Sequence, residues 1–339
     1  MPPAEWHLVA LDVVPAATMF ADVISSPAGF LAAGSAGPAA QQPVVLRSTD
    51  GQAWASEAID SRFASPASLV SWGDRAVAMG GGETDRCAHP TALDTWSRAA
   101  DGTWTEAPFD QDFCVGAATT TLLVHDDHPF LIGAGSGDIS YVMTSDDGLH
   151  WTLRQQPFDG VYPVAAATDG SVVWVFGYTP DGRPAALSSP DGTSFGAPSP
   201  IPVIGPETAV LGAVALAGKL AVVTTSGPNV GILRPEVGGG WQIEPAAGIR
   251  GDQVGRIAVV GDRLVAIGGD ENGTPLAWSS ADGASWKPIR LPAEAGTGAT
   301  ITGIAASNGV AVLVGQMMAS DGTSLVGAIW VGSSVLLEP

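Results

Sequence analysis

Four stretches of the chain share one arrangement of reactive side chains. Ser48-Thr49-Asp50-Gly51-Gln52-Ala53-Trp54 and its counterparts at 145–151, 189–195 and 280–286 each read Ser, any residue, Asp, Gly, two free positions, then Trp or Phe. An enzyme has little use for one nucleophile four times over, so the repetition itself points to architecture. An aspartate carboxylate accepts hydrogen bonds from backbone amides two or more positions along, and glycine takes the positive φ that such a turn requires. The aromatic then enters the next strand, where it can wedge between sheets. Asp50, Asp147, Asp191 and Asp282 are therefore expected to hold structural corners.

Other polar clusters offer less. His125-Asp126-Asp127-His128 carries metal-ligand types, but it occupies a short turn between two apolar strands, where solvated polar residues are common. Gly268-Gly269-Asp270-Glu271-Asn272-Gly273 places hard oxygens in a flexible loop and makes calcium a possible ligand, although it departs from the twelve-residue calcium loop. Met317 and Met318 end a strand and suit packing. Gly80-Gly81-Gly82 is followed by Glu-Thr-Asp, with neither a Lys-Thr/Ser pair nor a helix to cradle phosphate. The two cysteines, Cys87 and Cys114, lack metal spacing, so no metal centre is expected on them.

Bulk composition narrows the classes. The net charge is −20 and the only lysines are Lys219 and Lys287, so no basic footprint for nucleic acid or anionic lipid can form. The 44 glycines and 26 prolines sit among 45% hydrophobic residues, which fits turn-rich β structure and not disorder. Apolar runs are short, and none approaches the roughly 18–20 residues of a membrane-spanning helix. Met1-Pro2-Pro3-Ala4-Glu5-Trp6-His7 has no apolar core of a signal peptide. That fits a cytoplasmic protein, and equally an exported one whose leader is absent from this chain.

The elements that must position these residues recur. Apolar strands such as 75–81, 171–177, 219–225, 263–269 and 310–316 are mostly bounded by glycine, each preceded by another strand and a tight turn. A third strand, the Asp-Gly turn and a fourth strand opening on an aromatic follow. The turn recurs about every 43–51 residues, the period of a four-stranded propeller blade. Seven units result, near 20–58, 62–108, 114–158, 161–201, 206–248, 252–292 and 298–337, with the turn shortened in the second and eroded in the fifth and seventh. A single four-stranded unit cannot bury both faces, whereas radial stacking does so. The expected fold is a single-domain, all-β, seven-bladed β-propeller. Residues 5–11 resemble a fourth strand and compete with the C-terminal segment to complete the last blade.

The Ser-x-Asp-Gly-x-x-aromatic strings resemble the Asp-box of sialidase-type propellers, a repeat also found in glycan hydrolases, photosystem assembly factors and sorting receptors. The resemblance implies that binding residues lie on the face opposite the boxes, where the loops between strands two and three and between blades emerge. Candidates there are Arg62, Arg86, His89, Asp110, Asp112, Tyr162, Tyr178, Arg183, Glu207, Arg250, Asp252, Asp270 and Glu271, and Asp22 is expected on the same face. A sialidase would need an arginine triad, for which only Arg62, Arg86, Arg183 and Arg250 are placed. It would also need a tyrosine nucleophile, Tyr162 or Tyr178, with Glu207 as the nearest acidic partner. The early arginine motif is missing, so the catalytic set is not recognisable.

The function expected is therefore a non-catalytic extracellular binding or scaffold module for a glycan or protein. The alternative is a glycoside hydrolase using paired carboxylates, about 5.5 Å or 6.5–9.5 Å apart according to stereochemistry. The fold reading also brings the loops of Cys87 and Cys114 out on one face. It predicts a disulfide between them and an oxidising compartment, at the cell exterior or beyond.

Overall fold

The computed structural model describes residues 5–337 except 12, 14, 16–17, 38–41, 62–63, 86, 88–90, 109, 111–112, 115–116, 136–139, 156, 159, 237–238, 320–321 and 323. Seven four-stranded antiparallel sheets form a ring, a seven-bladed β-propeller with almost no helix. Blade 1 comprises β2 (Met19–Ser26), β3 (Gly29–Ala36), β4 (Gln42–Ser48) and β5 (Ala55–Glu57). Blade 2 comprises β6 (Ser68–Trp72), β7 (Arg75–Glu83), β8 (Thr91–Arg98) and β9 (Trp104–Glu106). Blade 3 comprises β10 (Ala117–His125), β11 (His128–Gly135), β12 (Ser140–Ser145) and β13 (Trp151–Gln155). Blade 4 comprises β14 (Tyr162–Thr168), β15 (Val173–Tyr178), β16 (Pro184–Ser189) and β17 (Ser199–Pro200).

Blade 5 comprises β18 (Ala209–Leu216), β19 (Lys219–Ser226), β20 (Asn229–Pro235) and β21 (Trp241–Pro245). Blade 6 comprises β22 (Val254–Val260), β23 (Arg263–Gly269), β24 (Pro275–Ser280) and β25 (Lys287–Pro288). Blade 7 comprises β26 (Thr300–Ser307), β27 (Val310–Met318) and β28 (Leu325–Ser333), and takes its outer strand from β1 (His7–Leu8) near the other end of the chain. His7 pairs with Val331 and Leu8 with Trp330, while residues 334–337 turn into a short 3-10 segment instead. The Trp6 indole reaches the Arg290 carbonyl of blade 6 at 2.8 Å, so the closing strand is also pinned to its neighbour.

The glycines that end the second strands have a physical cause in the inner strands. Six inner strands carry a one-residue irregularity at the same level, between Phe20/Asp22, Ala117/Thr119, Pro163/Ala165, Val210/Gly212, Val254/Arg256 and Ile301/Gly303. The bulge thrusts a carbonyl at the facing second strand. A Cβ at Gly34, Gly177, Gly268 or Gly315 would lie 2.0, 1.9, 1.7 or 1.9 Å from that oxygen. Only glycine fits there.

The hydrophobic core runs between blades. Phe20, Phe30 and Leu46 of blade 1 pack with Val312, Ile329 and Val331 of blade 7, and each neighbouring pair repeats the pattern. Such interfaces bury the faces that one sheet would leave wet.

The recurrent turns close these seams. In blade 1 the Asp50 Oδ1 accepts the amides of Gln52 at 2.9 Å and Ala53 at 3.0 Å, while Ser48 Oγ accepts the buried Gly51 amide at 2.8 Å. Blade 6 repeats this with Asp282, Ser280 and Gly283, and blade 3 with Asp147, Ser145 and Gly148. Asp191 of blade 4 accepts Thr193 and Ser194 amides, each at 2.8 Å. Gly192 sits at φ 68°, and a Cβ there would strike Phe130 of the preceding blade at 2.4 Å. The turn glycine thus meets both demands at once, backbone sign and inter-blade clearance.

Blade 2 solves the same problem differently. Arg98 stands where blades 1, 3, 4 and 6 place the serine, and its guanidinium crosses to blade 1. Glu57 accepts Nε at 2.8 Å and Nη2 at 2.7 Å, and also the Trp104 indole at 2.8 Å. An ion pair between blades replaces the serine, while Asp101 still caps the turn by accepting the Thr103 amide at 2.9 Å.

Candidate functional site

The face away from the Asp-Gly turns carries the loops between second and third strands and the connections between blades. A disulfide joins two of these loops. Cys87, between β7 and β8, bonds Cys114, between β9 and β10, with Cα atoms 5.4 Å apart. It ties the loop of blade 2 to the connection into blade 3.

Among the described residues the candidates of this face do not converge on one centre. Arg250 and Asp252 form a 2.6 Å ion pair in the connection into blade 6, with Glu271 close enough to act on Arg250 electrostatically. Asp270 caps its own loop, accepting the amides of Asn272 at 2.9 Å and Thr274 at 2.8 Å. Arg183 pairs with Asp181 at 2.9 Å in blade 4, and Glu207 is exposed. Tyr162 and Tyr178 are register partners, but the Tyr178 hydroxyl accepts the Val210 amide at 2.8 Å, a bond that braces blade 5. Asp110 is exposed, and its carbonyl accepts the Phe113 amide. Arg62, Arg86, His89 and Asp112 lie outside the described residues.

Three of the carboxylates here, Asp181, Asp252 and Asp270, lie below the ordinary carboxylate range. The Arg250 hydrogen bond depresses Asp252, the Thr274 amide depresses Asp270, and the Thr179 hydroxyl depresses Asp181. A general acid needs the opposite shift. Among the described residues there is no group of three or more His, Cys, Asp or Glu able to hold a metal ion.

One carboxyl does move upward, and sequence reading misplaced it. Asp22 belongs to the inner strand β2, not to a loop, and is buried. Burial pushes its carboxyl up, while Arg256 and the Leu69 and Val23 amides pull it back. Oδ2 accepts Leu69 N at 2.9 Å from blade 2. Oδ1 accepts Val23 N at 2.9 Å and Arg256 Nη2 at 2.8 Å from blade 6. Arg256 Nη1 donates to the Thr302 carbonyl of blade 7 at 2.7 Å and to Ala21 at 3.4 Å. One ion pair therefore joins four consecutive blades across the point where the ring closes. Asp22 and Arg256 occupy equivalent bulge positions of their strands, a signal invisible without knowing the bulge.

Around this pair the axis is hollow. A chamber of about 320 Å³ is lined by inner-strand residues of six blades, including Asp22, Ser68, Thr121, Gly212 and Arg256. A second cavity, about 240 Å³, lies toward the turn face and is more apolar, with Ile24, Val70, Val259 and Ala305. A cleft of about 470 Å³ opens on the loop face between blades 6 and 7, walled by Gly268, Gly269, Gly273, Pro275 and Thr300–Thr302. Arg256 lines all three spaces, and its side chain remains 44% exposed against 5% for Asp22.

His125 also departs from the sequence expectation of a solvated turn. It is buried, with Nδ1 2.8 Å from Thr168 Oγ1 and Nε2 3.1 Å from the Pro190 carbonyl, and so seals blade 3 to blade 4. Asp126 and Asp127 beside it both take positive φ, 49° and 60°, and the Asp127 carboxylate and carbonyl accept the buried Trp72 indole.

No protein-family model and no curated protein sequence matches the chain. Among solved structures it is similar to YCF48 bound to D1 peptide, with TM-score 0.60 and 14% identity over 98% of this chain and 97% of that one. It is similar to virginiamycin B lyase from Staphylococcus aureus, with TM-score 0.60 and 14% identity over 96% and 99% of the two chains. It is also similar to a polysaccharide lyase described as an ulvan lyase, with TM-score 0.59 and 12% identity over 98% and 96%. At these identities the likeness is one of fold.

Proposed function

We propose that the protein is a non-catalytic binding propeller of the cell exterior that recognises a glycan or a protein segment on its loop-rich face. The observation that carries this reading is the state of the carboxylates there. Asp181, Asp252 and Asp270 are each tied within their own loop and depressed below the ordinary range, which suits fixed polar recognition and not proton transfer. The cleft between blades 6 and 7 is concave, walled largely by backbone and small residues, and of a size that suits a ligand. Solved propellers of similar fold are described with a bound peptide and as a polysaccharide lyase, so the architecture accommodates either ligand class. The disulfide supports an oxidising compartment. No helix among the described residues is long and apolar enough to cross a membrane.

The test is a screen of the intact protein against immobilised glycans and peptides, repeated with one obstructing variant on each face. Thr300→Trp blocks the loop-face cleft, and Ala281→Trp encumbers the turn face. Loss of the hits with Thr300→Trp alone is expected. Equal loss with Ala281→Trp would move the site to the other side of the disc, and release of cleaved product would turn the reading toward an enzyme.

A further inference from the structure

We infer that the axial chamber is a binding site for one neutral sugar residue, gripped by the unengaged edge of Arg256. This rests on the loop-face reading above, because the cleft between blades 6 and 7 leads to the same guanidinium.

The geometry of Arg256 makes the case. A guanidinium offers five N–H donors on two forked edges. Nη1 is committed to the Thr302 and Ala21 carbonyls, and Nη2 donates one bond, to Asp22 Oδ1. Nε and the remaining hydrogen of Nη2, donors on the two atoms of one edge, have no protein acceptor among the described residues. That edge belongs to a side chain 44% exposed that lines both the chamber and the cleft. Asp22 fixes the guanidinium from behind, so the donor pair is preorganised and loses little freedom on binding.

The chemistry of the occupant follows from charge. A carboxylate is the usual partner of such a fork, but Asp22 already neutralises Arg256. Among the described residues no other ionisable side chain lines the chamber or the cleft, and the chain as a whole carries −20. A second anion would be buried without a counter-charge. Two adjacent neutral acceptors, such as the vicinal hydroxyls of a pyranose, satisfy the same two donors without that cost. The remaining lining agrees. The hydroxyls of Ser68 and Thr121 have no protein partner among the described residues, while Val164, Leu211 and Ile257 offer an apolar wall to a ring face. At about 320 Å³ the chamber stands at the small end of ligand sites, the scale of one sugar residue and not of a chain. Gly212 and Ala165 line it at the same bulge level.

The Arg256 Nε–H resonance of ¹⁵N-labelled protein reports on this edge directly. Titration with glucose, galactose and mannose is expected to give a saturable shift for at least one of them. Glucuronate and inorganic sulfate are expected to require higher concentrations. Arg256→Lys keeps a cation beside Asp22 but loses the fork, and should weaken binding about tenfold or more. Ser68→Leu fills the chamber without touching the ion pair, and should abolish the shift in a protein of unchanged fold. It therefore decides the matter if Arg256→Lys fails to fold. A site that takes sulfate or glucuronate at lower concentration than every hexose overturns the neutral-sugar assignment, and so does the absence of any saturable hexose shift. If a ligand from the glycan and peptide screen binds while Arg256 Nε–H stays still, this inference fails and the loop-face reading stands.

Discussion

Replacing Ser280 by alanine removes a side chain that is 1% exposed and whose Oγ accepts the buried Gly283 amide at 2.8 Å. No other acceptor serves that amide, so the variant leaves a buried donor unpaired, a cost of about 1–3 kcal/mol. Asp282→Ala frees two amides, Ala284 at 2.9 Å and Ser285 at 3.2 Å, but both are exposed and water can replace the carboxylate. Its cost is about 0.5–1.5 kcal/mol. Serine is therefore expected to matter at least as much as the more conspicuous aspartate. Ser48 makes the same bond in blade 1, to Gly51 at 2.8 Å, and the two sites lie in separate blades, so the double variant Ser48→Ala/Ser280→Ala should lose about 2–6 kcal/mol. With 339 residues and about 2.1 cal/mol/K of unfolding entropy per residue, each kcal/mol shifts Tm by about 1.4 °C. The double variant should then melt about 3–8 °C lower by calorimetry, with a matching fall in denaturant midpoint. An aspartate variant less stable than its serine partner in both blades, or a double variant that melts like the parent, would refute the claim that the turn rests on the buried amide.

Further outcomes follow from the same geometry. Glu57→Gln leaves Arg98, only 7% exposed at its side chain, without its charge partner, and should cost about 3 kcal/mol by denaturant titration. The double variant Cys87→Ser/Cys114→Ser opens a loop of 27 residues' separation and should lose about 3–4 kcal/mol, while a non-reducing peptide map of the parent should show the two cysteine peptides linked. Acid should destabilise the fold through the turn aspartates: Asp50, Asp147, Asp191 and Asp282 are all depressed, so their contribution is complete above the ordinary carboxylate range and lost as pH falls through their folded values. Asp22 is shifted the other way, so its contribution is present at low pH and declines as pH rises through its folded value. The depressed carboxylates outnumber the raised one, and Tm measured against pH should fall below about pH 4. A flat acid limb would contradict the assignment.

The seven-bladed ring was legible because its cause is periodic. Most blades share the same turn, a glycine against the same bulged carbonyl and an aromatic in the seam, so the pattern recurs around the ring. The cysteine pairing was legible for a related reason: strand order alone decides which loops emerge together, and Cys87 and Cys114 fall on loops that do. The axial site was not legible. Asp22 read as a loop residue because it lies near the start of an inner strand, and Arg256 was not among the candidates. Their meeting depends on two bulges in blades 1 and 6 and on Gly303, where a Cβ would lie 2.9 Å from the Val23 amide. His125 was misread likewise, because its burial comes from blade 4 and not from the turn that contains it. Contacts within one blade leave a local mark in sequence, whereas contacts between blades do so only when they repeat.

Native mass spectrometry of the protein, incubated with a library of neutral and acidic glycans and short peptides, tests the central claim most directly. It reports binding and turnover in one spectrum. The account predicts a stoichiometric adduct of an intact library member, undiminished on prolonged incubation and lost in Thr300→Trp. Accumulation of hydrolysed or eliminated fragments without a stable adduct would contradict it.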